Sequence, residues 1–271
     1  MSWTRLNVAA YLAFVVTCCI PSRASAQVAP PLGAARQFGV LGNSGVTGAT
    51  GTGVVVNGDV GSSPTATISN FPPSTSLPPF SVHLTNDGVV QQAHTDAIAA
   101  YTALQNQGPG TVLPDNLATV GALTPGIYSF VTGAPDLPAS ATLTLNGTGV
   151  FVFNVGSSLT ANVLSNVVGT ANPCNIFWRV GSSATLNGTT FRGIVIASAS
   201  ITVGAGANLT GQALAGTGAT GAVTMAGNGG NTIGGCSAIV VPTMPAGFLI
   251  LLAVALAGAG YFLLKRRSAI A

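Results

Sequence analysis

Thr142-Leu143-Thr144, Ser158-Leu159-Thr160, Ser183-Ala184-Thr185, Ser200-Ile201-Thr202: between Ala139 and Ile233 one short phrase returns, and Ala222-Val223-Thr224 is a looser fifth copy. Most copies flank an apolar residue with hydroxyl residues. In a strand, alternate side chains point to opposite faces, so an inward aliphatic residue leaves two short side chains facing water. A second phrase alternates with the first. Val150-Phe151-Val152-Phe153-Asn154-Val155-Gly156 aligns with Asn175-Ile176-Phe177-Trp178-Arg179-Val180-Gly181, and Arg192-Gly193-Ile194-Val195-Ile196-Ala197-Ser198 aligns more loosely. Each is apolar at both alternating sets of positions, the pattern of a strand buried on both faces. Phe151, Phe153 and Val155 are expected to fill an interior, and Val152, Phe177 and Ile194 to form an apolar outer column that needs a cover.

The corresponding residues Thr144, Thr160, Thr185, Thr202 and Thr224 recur at uneven intervals. Uneven periods of roughly 20 residues fit a parallel β-solenoid with loops of unequal length. A β-sandwich is the structural rival, but turn signals for hairpins between the paired strands are mostly missing. Stacked copies would line up two columns of small hydroxyl side chains. Asp87 is a plausible N-cap, and Val90, Ala93, Ala97, Tyr101 and Leu104 recur at three- and four-residue steps, which predicts one amphipathic helix over about 87–107, stopped at Gly108-Pro109. That helix is the expected cover for the apolar column.

Only 5% of the 271 residues are charged, against roughly 25% in ordinary soluble proteins. There is no Glu, and 36 residues are Gly. The formal charge of +3 comes from the ends, where Arg5, Arg23, Lys265, Arg266 and Arg267 lie. The middle keeps Arg36, Arg179 and Arg192 against five Asp, a net of −2. Nucleic-acid binding needs a basic stripe and is excluded. Polysaccharide cleavage, common on parallel β-helices, needs clustered carboxylates or bases. Asp59, Asp87, Asp96, Asp115 and Asp136 are expected to lie outside the repeated strands, so no catalytic residue, cofactor or metal site is assigned.

Residues 1–26 fit a secretory signal: Arg5, an apolar stretch from Leu6 to Ile20, and Ala24-Ser25-Ala26 before the cut. Residues 27–37 read as a linker, and 38–236 as the folded domain. At the far end, 246–264 form one uninterrupted stretch without a charge, followed by the basic tail 265–271. This is long enough for a transmembrane helix with a cytoplasmic tail, and would join the protein to a membrane. Val241-Pro242-Thr243-Met244-Pro245, within the linker 237–245, is similar to a bacterial C-terminal sorting motif, which implies a sorting protease as a partner. Cell-surface anchoring and release are the two outcomes. Cys174 and Cys236 remain in the exported body, where a disulfide is expected. Two buried thiols or a metal site are the alternatives, though His83 and His94 are not at ligand spacing with them.

Several phrases in order then carry a family resemblance. Phe38-Gly39-Val40-Leu41-Gly42 through Asn57-Gly58-Asp59-Val60-Gly61, Ser69-Asn70-Phe71-Pro72-Pro73, Leu123-Thr124-Pro125-Gly126-Ile127-Tyr128 and the run from Cys174 to Leu186 resemble the microbial ice-binding proteins of the discontinuous β-helix type. The resemblance covers about 34–236. It implies a right-handed, three-faced parallel β-helix with a long helix along one face, its N-terminal segment interleaved with its C-terminal coils. It also implies adsorption to an ice crystal surface through a flat face. On this reading the candidate ice-binding residues are Thr142, Thr144, Ser158, Thr160, Ser183, Thr185, Ser200, Thr202 and Thr224 from the columns, with Thr65 and Thr67. Thr47, Thr50, Thr217 and Thr220 join them from Thr47-Gly48-Ala49-Thr50 and Thr217-Gly218-Ala219-Thr220, which match the family's Thr-rich motif. A surface adhesin or matrix protein on the same scaffold is the alternative function.

Overall fold

The protein is seen in a computed structural model that describes residues 27–218, 220–227 and 230–238. The signal, the sorting motif, the membrane span and the basic tail assigned to the two ends lie outside the described residues. Among the described residues, no helix is long and apolar enough to cross a membrane.

The strands pair in parallel throughout the two ladders, one of 13 strands and one of seven. Parallel neighbours cannot be joined by tight hairpins, which explains the missing turn signals. The larger sheet contains two runs that share the long strands Thr190–Ala197 and Asn208–Ala215, paired residue for residue. The second halves of these strands continue a run through Ile176–Val180, Phe151–Val155 and Gly126–Phe130. Their first halves belong to another run with Thr142–Thr144, Asn166–Val168 and Asn231–Gly235. The runs part at Gly193 and Gly211: Gly193 has φ +122°, and a Cβ on Gly211 would sit 1.8 Å from the Gly193 carbonyl oxygen. Only glycine fits two backbones that close.

Inward side chains of all three runs meet in one core. Its centre is an aromatic stack: the Phe153 and Trp178 rings lie 3.9 Å apart at 11°, flanked by Tyr128 and Phe191 at 5.4 and 5.1 Å. The buried indole N–H of Trp178 donates to the Arg192 carbonyl at 3.0 Å, so the ring enters the core with its polar atom satisfied.

The start of the chain completes the stack. Phe38–Gly42 pairs with Asn208–Ala215, Gly45–Thr47 with Ala222–Met225, and Val54–Asn57 with Asn231–Gly235. Each run is thus extended by N-terminal strands laid against C-terminal ones. The stretch 27–37, expected as a linker, is part of the body from Gly33 on: Gly33–Gln37 forms a 3-10 turn with Ala35 buried. The reason is local hydrogen bonding. Gln212 is fully buried and its amide donates to the carbonyls of Ala35, Arg36 and Phe38, while the Ala34 N–H donates to Asp96 at 2.7 Å.

The helix runs Gly88–Gln105. The Asp87 carboxylate caps it, accepting from the Val89 and Val90 N–H groups at 2.9 and 3.0 Å. Val90, Ala93, Ala97, Ala100 and Leu104 are buried against Ile127, Val152, Phe177, Ile194 and Leu214. The apolar outer column therefore has its cover. Gly61 lets the helix approach, since a Cβ there would lie 3.0 Å from Val90 and 2.8 Å from the Phe38 ring. His83 ties the helix start to the N-terminal strands, with Nε2 3.2 Å from the buried Asp59 carboxylate and Nδ1 2.8 Å from Asp87. The hydrogen bond to Asp59 outweighs burial and, with Asp87, raises the His83 pKa to about 9. Cys174 and Cys236 form a disulfide with Cα atoms 5.2 Å apart, fastening the end of the domain to a middle strand turn 62 residues earlier.

Candidate functional site

The seven-stranded ladder is built from the shortest strands, and its order is Ile68–Ser69, Gly45–Thr47, Ala222–Met225, Ile201–Val203, Ala184–Leu186, Leu159–Ala161, Asp136–Leu137. In each, the aliphatic residue is buried or partly buried in the core, which fixes the register by the period-two rule. Thr160 pairs with Thr185, Thr185 with Thr202, Thr202 with Thr224, Thr224 with Thr47, and Thr47 with Ser69. Six β-strands thus carry one hydroxyl column along their outer side.

Two residues earlier Ala222 pairs with Gly45, and Ser158, Ser183, Ser200 and Thr67 stand immediately before the strands Leu159–Ala161, Ala184–Leu186, Ile201–Val203 and Ile68–Ser69, at the equivalent positions. This second column has a gap. Gly45 stands at φ +155°, and a Cβ there would come within 3.1 Å of the Thr67 carbonyl oxygen, so the position takes no side chain without strain.

The members are half-buried, with Ser69 and Thr67 more exposed. Among the described residues, the hydroxyls of Thr160, Thr185, Thr202 and Thr224, and those of Ser158 and Ser183, make no hydrogen bond to protein. They are not buried either, so water is their partner. Three other hydroxyls are engaged: Ser69 donates to Thr47 at 3.2 Å, and Ser200 accepts from the Ala222 N–H at 3.2 Å. A β-branched Thr has few χ1 states, so its methyl and hydroxyl hold their positions. Neighbouring rungs of a sheet stand about 4.8 Å apart, and residues two apart on a strand roughly 6.7 Å. The face is thus a rigid grid of hydroxyls and methyls.

The remaining sequence candidates fall elsewhere. Thr142 and Thr144 pair with Asn166 and Val168 in the larger sheet, so they do not belong to the column with Thr160. Thr217 is buried, 7% exposed, and its hydroxyl donates to the Ala197 carbonyl at 3.1 Å. Thr65 is exposed outside any strand, and Thr220 is exposed in a connection. Thr50 is exposed after the strand end, its hydroxyl donating to the Gly227 carbonyl at 3.3 Å.

Two members of the face were missed. Ser69 extends the column, and the phrase Thr67-Ile68-Ser69 carried the same signal as the other copies. Asp136, expected outside the repeated strands, pairs with Thr160 and occupies the column's position on the last strand of the ladder. Its carboxylate accepts from the Asn162 amide at 2.6 Å.

Comparison with known proteins fits this arrangement. The ice-binding-like family model matches residues 40–231, and the chain belongs to that family. It is 38% identical over 221 residues to an ice-binding protein of Nostoc sp. (strain HG1), covering 79% of this chain and 78% of that one. Among solved structures, an ice binding protein from an Antarctic biological consortium superposes with a TM-score of 0.68 at 35% identity, covering 79% of this chain and 95% of the other. The ice-binding protein of the Antarctic ascomycete Antarctomyces psychrotrophicus gives a TM-score of 0.61 at 32% identity, over 76% and 98%.

Proposed function

We propose that this chain is a non-catalytic protein that adsorbs to ice through the face bearing Thr160, Thr185, Thr202 and Thr224, and thereby restrains ice growth and recrystallisation. We read its three strand runs as the faces of a right-handed β-solenoid. The observation that carries the reading is the in-register column of hydroxyls that no protein group satisfies.

Each such hydroxyl donates and accepts, as a water in ice does, and each adjacent methyl excludes competing water. The strand lattice sets these groups at two fixed spacings close to those in ice. Because the groups are preordered by the backbone, little conformational entropy is lost on contact. The names of its relatives support the same function. Export is our reading of residues 1–26, with retention at a membrane through 246–264 or release after a cut.

The test is an ice-recrystallisation assay on the full-length protein and on a variant with Thr160, Thr185 and Thr202 all changed to Tyr. The unmodified chain is expected to hold ice grains small, and the variant to lose this while keeping its circular-dichroism spectrum and melting temperature. Unchanged inhibition by a folded variant would overturn the assignment of the face.

A further inference from the structure

One end of the Thr column coincides with the terminal strand of the ladder, Ile68–Ser69, whereas the other is closed chemically. At one end the Ser69 hydroxyl is committed to Thr47. At the other, the ladder continues for one more strand, and Asp136 stands where a hydroxyl would stand. The array of free hydroxyls is therefore the four rungs from Thr160 to Thr224.

We infer that Asp136 sets the length of the adsorbing array and is a potency-determining residue of this face. The inference rests on the ice-adsorption reading above. A carboxylate is an acceptor only, so the waters around it turn their hydrogens inward, whereas a lattice position needs a group that both donates and accepts. Advancing ice would also strip part of the carboxylate's hydration, which is costly for a charged group. Asp136 thus caps the ordered region at Thr160. Its removal is tolerable to the fold. Leu137 stays as the core residue of that strand, and the Asn162 amide keeps the Leu137 carbonyl at 3.2 Å as its acceptor.

The experiment compares full-length Asp136→Thr, Asp136→Asn and Thr185→Tyr with the unmodified protein, reading the lowest concentration that stops recrystallisation. Asp136→Thr adds a fifth free hydroxyl in register and is expected to lower that concentration about two- to tenfold, the worth of one net hydrogen bond. Asp136→Asn removes the charge and adds a donor without the methyl, and is expected to fall between. If Asp136→Thr fails to fold, Asp136→Asn alone decides. An endpoint unchanged or raised in the folded Asp variants, while Thr185→Tyr abolishes activity, overturns the role of Asp136 and leaves the ice reading standing. Full activity in a folded Thr185→Tyr overturns the assignment of the face and this inference with it, whereas no inhibition by the unmodified protein overturns the ice reading itself.

Discussion

Two runs of this molecule have the same backbone and opposite surfaces. In one, Ile127, Val152, Phe177 and Ile194 stand in register on the outer side, and the helix Gly88–Gln105 is packed over them. In the other, Thr160, Thr185, Thr202 and Thr224 stand in register, and no part of the described chain covers them. The inner sides of both are equally apolar and feed one core. Folding therefore decides only that both outer columns are straight. The side chains decide what each column binds: an apolar column takes a helix because burial releases water, and a hydroxyl column keeps water and orders it. One contributes stability and the other function, and the two contributions are separable by mutation.

The sharpest break is on the covered run. Phe177→Ala leaves a cavity under the helix and is expected to cost about 3–5 kcal/mol, read as a lowered urea midpoint. Thr185→Ala on the bare run is expected to change stability by no more than about 0.5 kcal/mol. Equal losses at both sites would show that the bare face also stabilises the fold.

The clamp on the helix start gives the next effect. A His83 pKa of about 9, above its unfolded value of about 6.5, contributes stability that is fully present below pH 6.5 and lost as pH rises through 9. Solvent screening of this partly exposed cluster keeps the amount below the roughly 3 kcal/mol that the full shift represents. Asp87 works in the opposite sense: burial raises its pKa, but the His83 and backbone hydrogen bonds outweigh this and lower it, so its contribution holds above pH 3.8 and fades as pH falls through the folded value. Melting temperature is expected to fall between pH 6.5 and 9, and His83→Gln to flatten that fall. Ice activity of the folded protein is expected to stay level over the same range, since no His lies in the hydroxyl columns. Parallel loss of both properties would tie the two runs together.

On the bare side, Thr202→Tyr in the middle of the column is expected to raise the recrystallisation endpoint at least tenfold, because a ring standing off the sheet displaces the several hydrogen-bonded waters beneath it. Thr190→Tyr, on the run that carries Thr142, is the matched control and is expected to leave the endpoint unchanged. That run is also in register, as Thr142, Asn166, Thr190, Asn208 and Thr232. Its asparagine side chains are already engaged, however, the Asn166 amide donating to the Leu164 carbonyl at 3.0 Å. Asn208 accepts from the N–H and hydroxyl of Thr232, both at 2.9 Å, and Arg192 on the neighbouring column donates to the Gly169 and Ala171 carbonyls.

This third run also marks where the sequence stopped being readable. The inward and outward sides of each strand followed from alternation, and the covered column from strands apolar on both sides, because both are local properties. Which run a phrase joined did not follow. Thr185 and Thr202 are ladder neighbours, whereas Thr144 and Thr160, at almost the same separation along the chain, lie on different runs. The difference comes from the connections, since Thr144 meets its neighbour Val168 only after the strand Leu159–Ala161 has intervened. Asp136 was missed for a related reason: its strand, Asp136–Leu137, is too short for a visible pattern. Thr217 was misplaced because a motif match says nothing about which way a hydroxyl turns, and here it turns to the Ala197 carbonyl.

The smallest expected difference lies within the bare column itself. Thr47 and Thr202 are both half-buried rungs of the same ladder, but the Thr47 hydroxyl already accepts a hydrogen bond from Ser69, while that of Thr202 is free. Thr202→Ala removes one water-anchoring hydroxyl and is expected to raise the endpoint about two- to tenfold, the range for one net hydrogen bond. Thr47→Ala removes a hydroxyl that is partly satisfied, and its effect is expected to be smaller than that of Thr202→Ala. Ser69→Ala frees the Thr47 hydroxyl at the cost of its own, so it is expected to change little. If Thr47→Ala proved as damaging as Thr202→Ala, internal pairing would not remove a hydroxyl from the working surface. Column position alone would then set the contribution of each rung.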